Sequence, residues 1–142
     1  MSGKVFVDTN VFVYLFDKSA PAKQARARQI LETEGPPGRV VLSTQVLQEF
    51  YVSVTRKLGK PLSESDGASA TSDLCAFDVV DVDKDMVLRS VTLSRTERLS
   101  LWDALIIEAA RTRRCDRLLT EDLQDGRQLG ALRITNPFRD VA

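Results

Sequence analysis

Short, unbroken apolar runs alternating with helical stretches predict an α/β fold: a three-layer sandwich around a central parallel sheet of about five strands. Two observations carry this expectation. The strand candidates, VFV near the N-terminus and later RVVL and RLL, are apolar on both faces, as strands covered on both sides must be. Each of the first three is followed by an amphipathic or capped helical stretch, the pattern of parallel strands joined by crossovers.

The first strand runs from about Lys4 to Val7 and stops at Asp8. Asn10 is placed to cap a short helix through Phe16, and Pro21 opens a longer one to about Glu34. Gly35-Pro36-Pro37-Gly38 is a loop. Arg39 to Leu42 reads as the second strand, and Ser43 or Thr44 caps a helix from Gln45 to about Lys57. In it Val46, Leu47, Phe50, Tyr51 and Val54 recur at helical spacing. Gly59-Lys60-Pro61 closes it, and a weaker helix spans about Ser65 to Ala76. Phe77 to Val82 is the third strand, and Asp83 caps a helix through about Thr96. Ser100 opens LWDALIIEAARTRR, whose Leu101, Ala104, Leu105, Ile107 and Ala109 face a core. Arg117 to Leu119 is the fourth strand and Leu132 to Ile134 the fifth. With 142 residues, no repeats and no linker, a single domain covering 1–142 is expected.

Composition narrows the chemistry. The chain has no histidine, which excludes histidine-based triads, Cys-His nucleophiles and His-ligated zinc. Cys75 and Cys115 lie far apart and outside any C-x-x-C spacing, so two buried or idle thiols are expected. Acid–base or metal chemistry must therefore run on the 20 acidic residues, or on Lys, Tyr and water. No apolar stretch approaches the roughly 20 residues that span a bilayer, and the N-terminal run is broken by Asp8. No membrane association and a cytoplasmic location are expected. Lys and Arg equal Asp and Glu in number, so there is no global pull toward nucleic acid. Local clusters at Arg56, Lys57 and Lys60 and at Arg111, Arg113, Arg114 and Arg117 can be read as phosphate contacts or as cations favoured by helix C-termini.

Four carboxylates stand where a parallel sheet would gather them. Asp8 follows the first strand, Asp122 follows the fourth, Glu49 lies on the helix after the second, and Asp103 opens the helix before the fourth. Ligands of such sheets bind beyond the carboxyl ends of the strands. Each acid also has a plain structural explanation. Asp8 can form a turn, Glu49 can be a solvated helix residue, and Asp122 can cap the segment after its strand. Asp103 completes the S-x-x-D spacing of a capping box with Ser100. One shared site accounts for all four more economically. Clustered carboxylates repel unless a cation compensates them. Mg²⁺ or Mn²⁺ takes oxygen ligands and phosphate oxygens, and metal-assisted displacement at phosphorus is the chemistry such a set serves.

The stretches VDTNVFVYLFD, STQVLQEFY, LWDALIIEAA and LLTEDLQDG resemble, in order and spacing, the PIN-domain nucleases, with the nearest likeness to VapC-type toxins of bacterial toxin–antitoxin pairs. The resemblance runs from about Val5 to Phe138. It implies a Rossmann-like PIN fold and an acidic site at Asp8, Glu49, Asp103 and Asp122, supported by Asn10, Thr120 and Glu121. It further implies a Mg²⁺- or Mn²⁺-dependent endoribonuclease leaving 5′-phosphate and 3′-hydroxyl ends. Homodimerisation and a cognate antitoxin whose segment covers the acidic groove are implied as well. Many relatives place a further acid two residues after the fourth; here Asp125 stands three away and is left outside the set. Arg95, Arg98 and the 111–117 cluster are candidates for holding the RNA backbone. Two rival readings are a non-catalytic PIN-like module binding RNA or protein, and a phosphohydrolase with Asp8 as nucleophile. The second fits poorly, because its pattern asks for an acid where Asn10 stands.

Overall fold

The computed structural model describes residues 2–141 and is organised around β1 (Val5–Val7), whose three side chains are fully buried. A strand with no polar face is satisfied only between two covering layers. β1 pairs in parallel with β2 (Val40–Ser43) on one side and β4 (Arg117–Leu119) on the other. β3 (Asp78–Val80) adds to β2, and β6 (Leu132–Thr135) adds to β4, again in parallel. The strand order is β3-β2-β1-β4-β6-β5.

The five expected strands are all present, and the sixth is β5 (Gln128–Leu129), which pairs antiparallel with β6. The hairpin turns through Gly130, whose φ of 61° lies in the left-handed region glycine adopts without strain. Two residues are too few to show a period in the sequence.

The helices are α1 (Thr9–Tyr14), α2 (Pro21–Glu34), α3 (Thr44–Val52), α4 (Glu64–Leu74), α5 (Lys84–Glu97) and α6 (Leu101–Thr112). Ser43, Ser63, Asp83 and Ser100 each accept from the backbone N–H three residues on, satisfying one of the donors a helix start leaves open. Two local expectations are corrected. The cap of α1 is Asp8 rather than Asn10, because the Asp8 carboxylate accepts from the Thr9 N–H. The helix after β2 does not run evenly to Lys57; α3 gives way to a π-helical turn at Ser53–Lys57. Phe6, Phe12, Leu42, Phe50, Met86, Ile107, Leu118 and Ile134 form the centre of the core.

The edge where the strands begin is tied by ion pairs. Glu34, 8% exposed, accepts from Arg39 at 2.8 Å and from Arg117 at 2.9 Å. Burial pushes its pKa up, but the two guanidinium groups outweigh burial and hold it below the usual range. Both cysteines are free; Cys75 is exposed, while burial pushes the Cys115 thiol up to about 12 and keeps it unreactive. Among the described residues no helix is long and apolar enough to cross a membrane.

Gly67 marks the closest approach of α4 to the segment before it. A Cβ there would stand 2.4 Å from the Thr55 methyl, and Thr55 is held by its hydroxyl bond to the Tyr51 carbonyl at 2.6 Å. Overpacking of this kind outweighs the helix-propensity gain of alanine. Gly67→Ala is therefore expected to lower stability by about 1–2 kcal/mol in denaturant unfolding; an unchanged or raised midpoint would show that Thr55 yields freely.

Candidate functional site

β1 ends at Val7, and Asp8 carries the parallel ladder one bond further by donating its N–H to the Leu119 carbonyl at 3.0 Å. This register sets Asp8 beside Thr120, which follows β4. The Asp8 carboxylate is 7% exposed and spanned by two donors: the Thr9 N–H at 2.7 Å and the Thr120 hydroxyl at 2.8 Å. Thr120 is fully buried and in turn accepts from the Asp122 N–H at 3.1 Å. One hydroxyl thus fixes both the carboxylate after β1 and the backbone carrying the carboxylate after β4.

The first turn of α1 holds the remaining acids. The Thr9 hydroxyl donates to Glu49 at 2.9 Å, and Asn10 Nδ2 donates to Asp122 at 3.0 Å. Asn10 Oδ1 is buried without a partner. Thr9 and Asn10 therefore do more than shape a loop. Asp103 reaches the same place from the first turn of α6, anchored where its N–H bonds to the Ser100 hydroxyl at 3.1 Å.

Asp8, Glu49, Asp103 and Asp122 all line one cleft of about 620 Å³ at the carboxyl edge of the sheet. Asn10 lines it too, as does Lys57 of the 56–60 basic cluster, together with Tyr14, Asp17, Gln45 and Trp102, which the sequence patterns do not single out. Trp102 does carry a signal, since it falls off the apolar face of the α6 pattern. Lys57 is the one basic residue among those lining the cleft, and the π-helical turn brings it there. None of the four acids belongs to an ion pair among the described residues.

Several residues the sequence brings forward lie elsewhere. Glu121 is turned away from the cleft: Lys23 pairs with it at 3.0 Å and the Tyr14 hydroxyl donates to it. Asp125 accepts from the Asn136 N–H at 2.8 Å and pairs with Arg139 at 2.9 Å, a structural position that agrees with leaving it out of the set. The basic 111–117 cluster stands at the opposite edge of the sheet, because Arg117 begins β4 rather than ending it. Arg111 there pairs with Glu108, Arg113 with Asp78 and Arg117 with Glu34. Arg95 and Arg98 are not among the cleft residues.

Among the described residues, no group of three or more Cys, Asp or Glu side chains is arranged to hold a metal ion by itself. The four acids form an open acidic wall rather than a closed cage. Mg²⁺ commonly uses one or two carboxylates and retains several waters, so an open wall of oxygen donors suits it. Burial pushes the Asp8 carboxyl up to about 6, against the opposing bonds from Thr120 and Thr9 and with added repulsion from Asp122 and Glu49. A carboxylate strained in this way gains from a nearby cation.

The fold and cleft define a class: a small α/β protein with an acidic, histidine-free cleft beyond the carboxyl ends of a mostly parallel sheet. The PIN domain family model matches residues 5–124, and the chain belongs to that family. Solved structures share the fold. A toxin–antitoxin complex from Klebsiella pneumoniae superposes with a TM-score of 0.71 at 24% identity, covering 94% of this chain and 98% of that one. Mycobacterium tuberculosis VapC20, a Sarcin-Ricin loop cleaving toxin, gives 0.65 at 20% identity, covering 81% and 87%. DNA-bound VapBC from Salmonella typhimurium gives 0.66 at 16% identity, covering 94% and 98%. No curated protein matches the chain.

The Asp8 pKa has a consequence for stability. The carboxyl titrates near 3.8 when unfolded and about 6 when folded, so the folded state binds the extra proton between those values. The stability present below pH 4 is lost as pH rises through 6, by about 3 kcal/mol at most. In chelator, wild type is expected to lose this increment relative to Asp8→Asn between pH 4 and pH 7.5 in denaturant unfolding. Parallel profiles for the two proteins would mean that Asp8 is not strained.

Proposed function

We propose that the chain is a single-domain, divalent-metal-dependent endoribonuclease and the toxin of a toxin–antitoxin pair. The observation that carries this reading is the convergence of four unpaired carboxylates, from four separated stretches, on one cleft of a PIN domain. Asp8, Asp103 and Asp122 are the proposed ligands of Mg²⁺ or Mn²⁺, one or two of them directly and the rest through waters the ion retains, and Glu49 completes the set or orients the attacking water. When bound, the ion neutralises the acids, activates water and stabilises the leaving oxygen of the phosphodiester.

The chain's own part is positioning. Two donors fix the orientation of Asp8, Asn10 holds Asp122, and Thr9 holds Glu49, so the acids are set before substrate arrives. Thr120 couples the first and last of them. Glu121, paired with Lys23 and Tyr14, would support the loop carrying Asp122 rather than meet substrate. Hydrolysis leaving a 5′-phosphate and a 3′-hydroxyl is the proposed outcome.

The proposed partners are RNA, a cognate antitoxin and a second copy of the chain, in the cytoplasm. The antitoxin finds support in the toxin–antitoxin complexes among the structures sharing this fold. An acidic cleft also offers a basic antitoxin segment a complementary surface.

Two measurements test the reading. Asp8→Asn is expected to lose RNA cleavage by at least about 100-fold with its fold retained, since loss of even an indirect support to a metal ligand costs 10–100-fold. Full activity in that variant, or in excess chelator, would sink the site. Independently of activity, Mn²⁺ at about 100 times its Kd is expected to stabilise the wild type by about 2.7 kcal/mol, several degrees in melting temperature. The gain should shrink in Asp8→Asn and Asp122→Asn; equal shifts in all three would place the ion elsewhere. RNA binding without turnover at any Mg²⁺ or Mn²⁺ concentration would favour a non-catalytic binding module.

A further inference from the structure

Trp102 is the chain's single tryptophan, and it is 63% exposed. An indole usually hides most of its surface, so this degree of exposure calls for an explanation. The residue sits in the first turn of α6, directly before Asp103, and lines the same cleft as the four acids. Its backbone is not loose. Gln45, 6% exposed, donates from Nε2 to the Trp102 carbonyl at 3.3 Å, joining the start of α3 to the start of α6. Val52, another exposed large apolar residue, lines the same cleft at 43% exposure.

The electrostatics of the cleft say what such a ring is for. Nucleic-acid binding ordinarily draws on cations that neutralise phosphates. This cleft offers only Lys57 against a wall of carboxylates, and the basic 111–117 cluster stands at the far edge of the sheet. Beyond the proposed metal ion, affinity for a polyanion in this cleft must therefore come largely from uncharged contacts. Stacking of a nucleobase on an aromatic ring supplies one, tolerates any base and is typical of single-stranded RNA recognition.

We propose that Trp102 is a positioning residue, the platform on which a base of the bound RNA strand stacks beside the acidic site. Because it adjoins Asp103, the stacked base fixes which phosphate of the strand lies against the carboxylates. The proposal rests on the ribonuclease reading and adds the means by which the strand is held.

The single tryptophan makes the test direct. Short single-stranded RNA is titrated into Asp8→Asn with Mg²⁺, following binding by anisotropy of a labelled strand and stacking by indole emission. RNA is expected to quench the indole, whereas a strand abasic at every position is not. In the background active for cleavage, Trp102→Ala is expected to raise KM about ten-fold with kcat changed much less, and Trp102→Phe to keep most of the affinity. RNA that binds without changing indole emission, or an unchanged KM in Trp102→Ala, overturns the stacking role and leaves the ribonuclease reading standing. Quenching by a protein partner but not by RNA also overturns it and assigns the ring to that partner. Wild type that neither binds nor cuts RNA overturns both.

Discussion

The hydrogen bond from the Thr120 hydroxyl to the Asp8 carboxylate is the contact on which the rest of the cleft depends. It exists only because β1 and β4 are parallel neighbours in one register, with Val7 opposite Leu119. A slip of one residue would turn every side chain on the strand to the other face. Asp8 would then part from Thr120 and leave the cleft. The apolar residues before Asp8 thus fix the functional geometry through their own need for burial. Pairing at the centre of the sheet is what makes the carboxylate rigid.

That rigidity opposes stability. Asp8 is held almost out of water, near two other carboxylates, with a pKa pushed up to about 6. A turn or cap has no need of this, because a solvated Asp caps a helix equally well without desolvation. The bonds from Thr120 and Thr9 relieve this strain only in part, and they fix the orientation of the strained group. Thr9 and Asn10 hold Glu49 and Asp122 close to Asp8, although repulsion would drive them apart. Donors that keep like charges together in this way support the proposal of a metal ion among them.

Much of this is legible in the sequence, and the exceptions have physical causes. Asp8 and Asp122 can be placed because each closely follows an apolar run whose end position is dictated by burial. Glu121 cannot be judged by the same rule, since neighbours in an extended stretch alternate sides. Thr120 and Asp122 turn toward Asp8 and Asn10, and Glu121 turns toward Tyr14 and Lys23. The bond between Thr9 and Glu49 joins residues 40 apart, a distance over which local patterning carries no signal. β5 is too short to show a period, and the π-helical turn at Ser53–Lys57 keeps a helical pattern while changing where Lys57 points. The basic cluster escapes placement for a different reason: its composition is visible, but the end of the sheet on which it falls depends on strand direction.

Strand direction also explains how a chain with no net charge carries a strongly acidic cleft. At the edge where the strands begin, acids and bases are matched: Glu34 with Arg39 and Arg117, Asp78 with Arg113. Such pairs contribute modestly where exposed, and more at Glu34, whose carboxylate is nearly buried. At the opposite edge the four cleft carboxylates are left without cationic partners among the described residues, so the charge balance of the whole hides a separation across the sheet. A basic side chain paired with these acids would have relaxed Asp8 and filled the place of a cation permanently. Keeping the arginines at the far edge leaves that place to something that can come and go. The separation therefore leaves the cleft suited to the proposed metal ion, which would offset the repulsion among its carboxylates and between them and a polyanion.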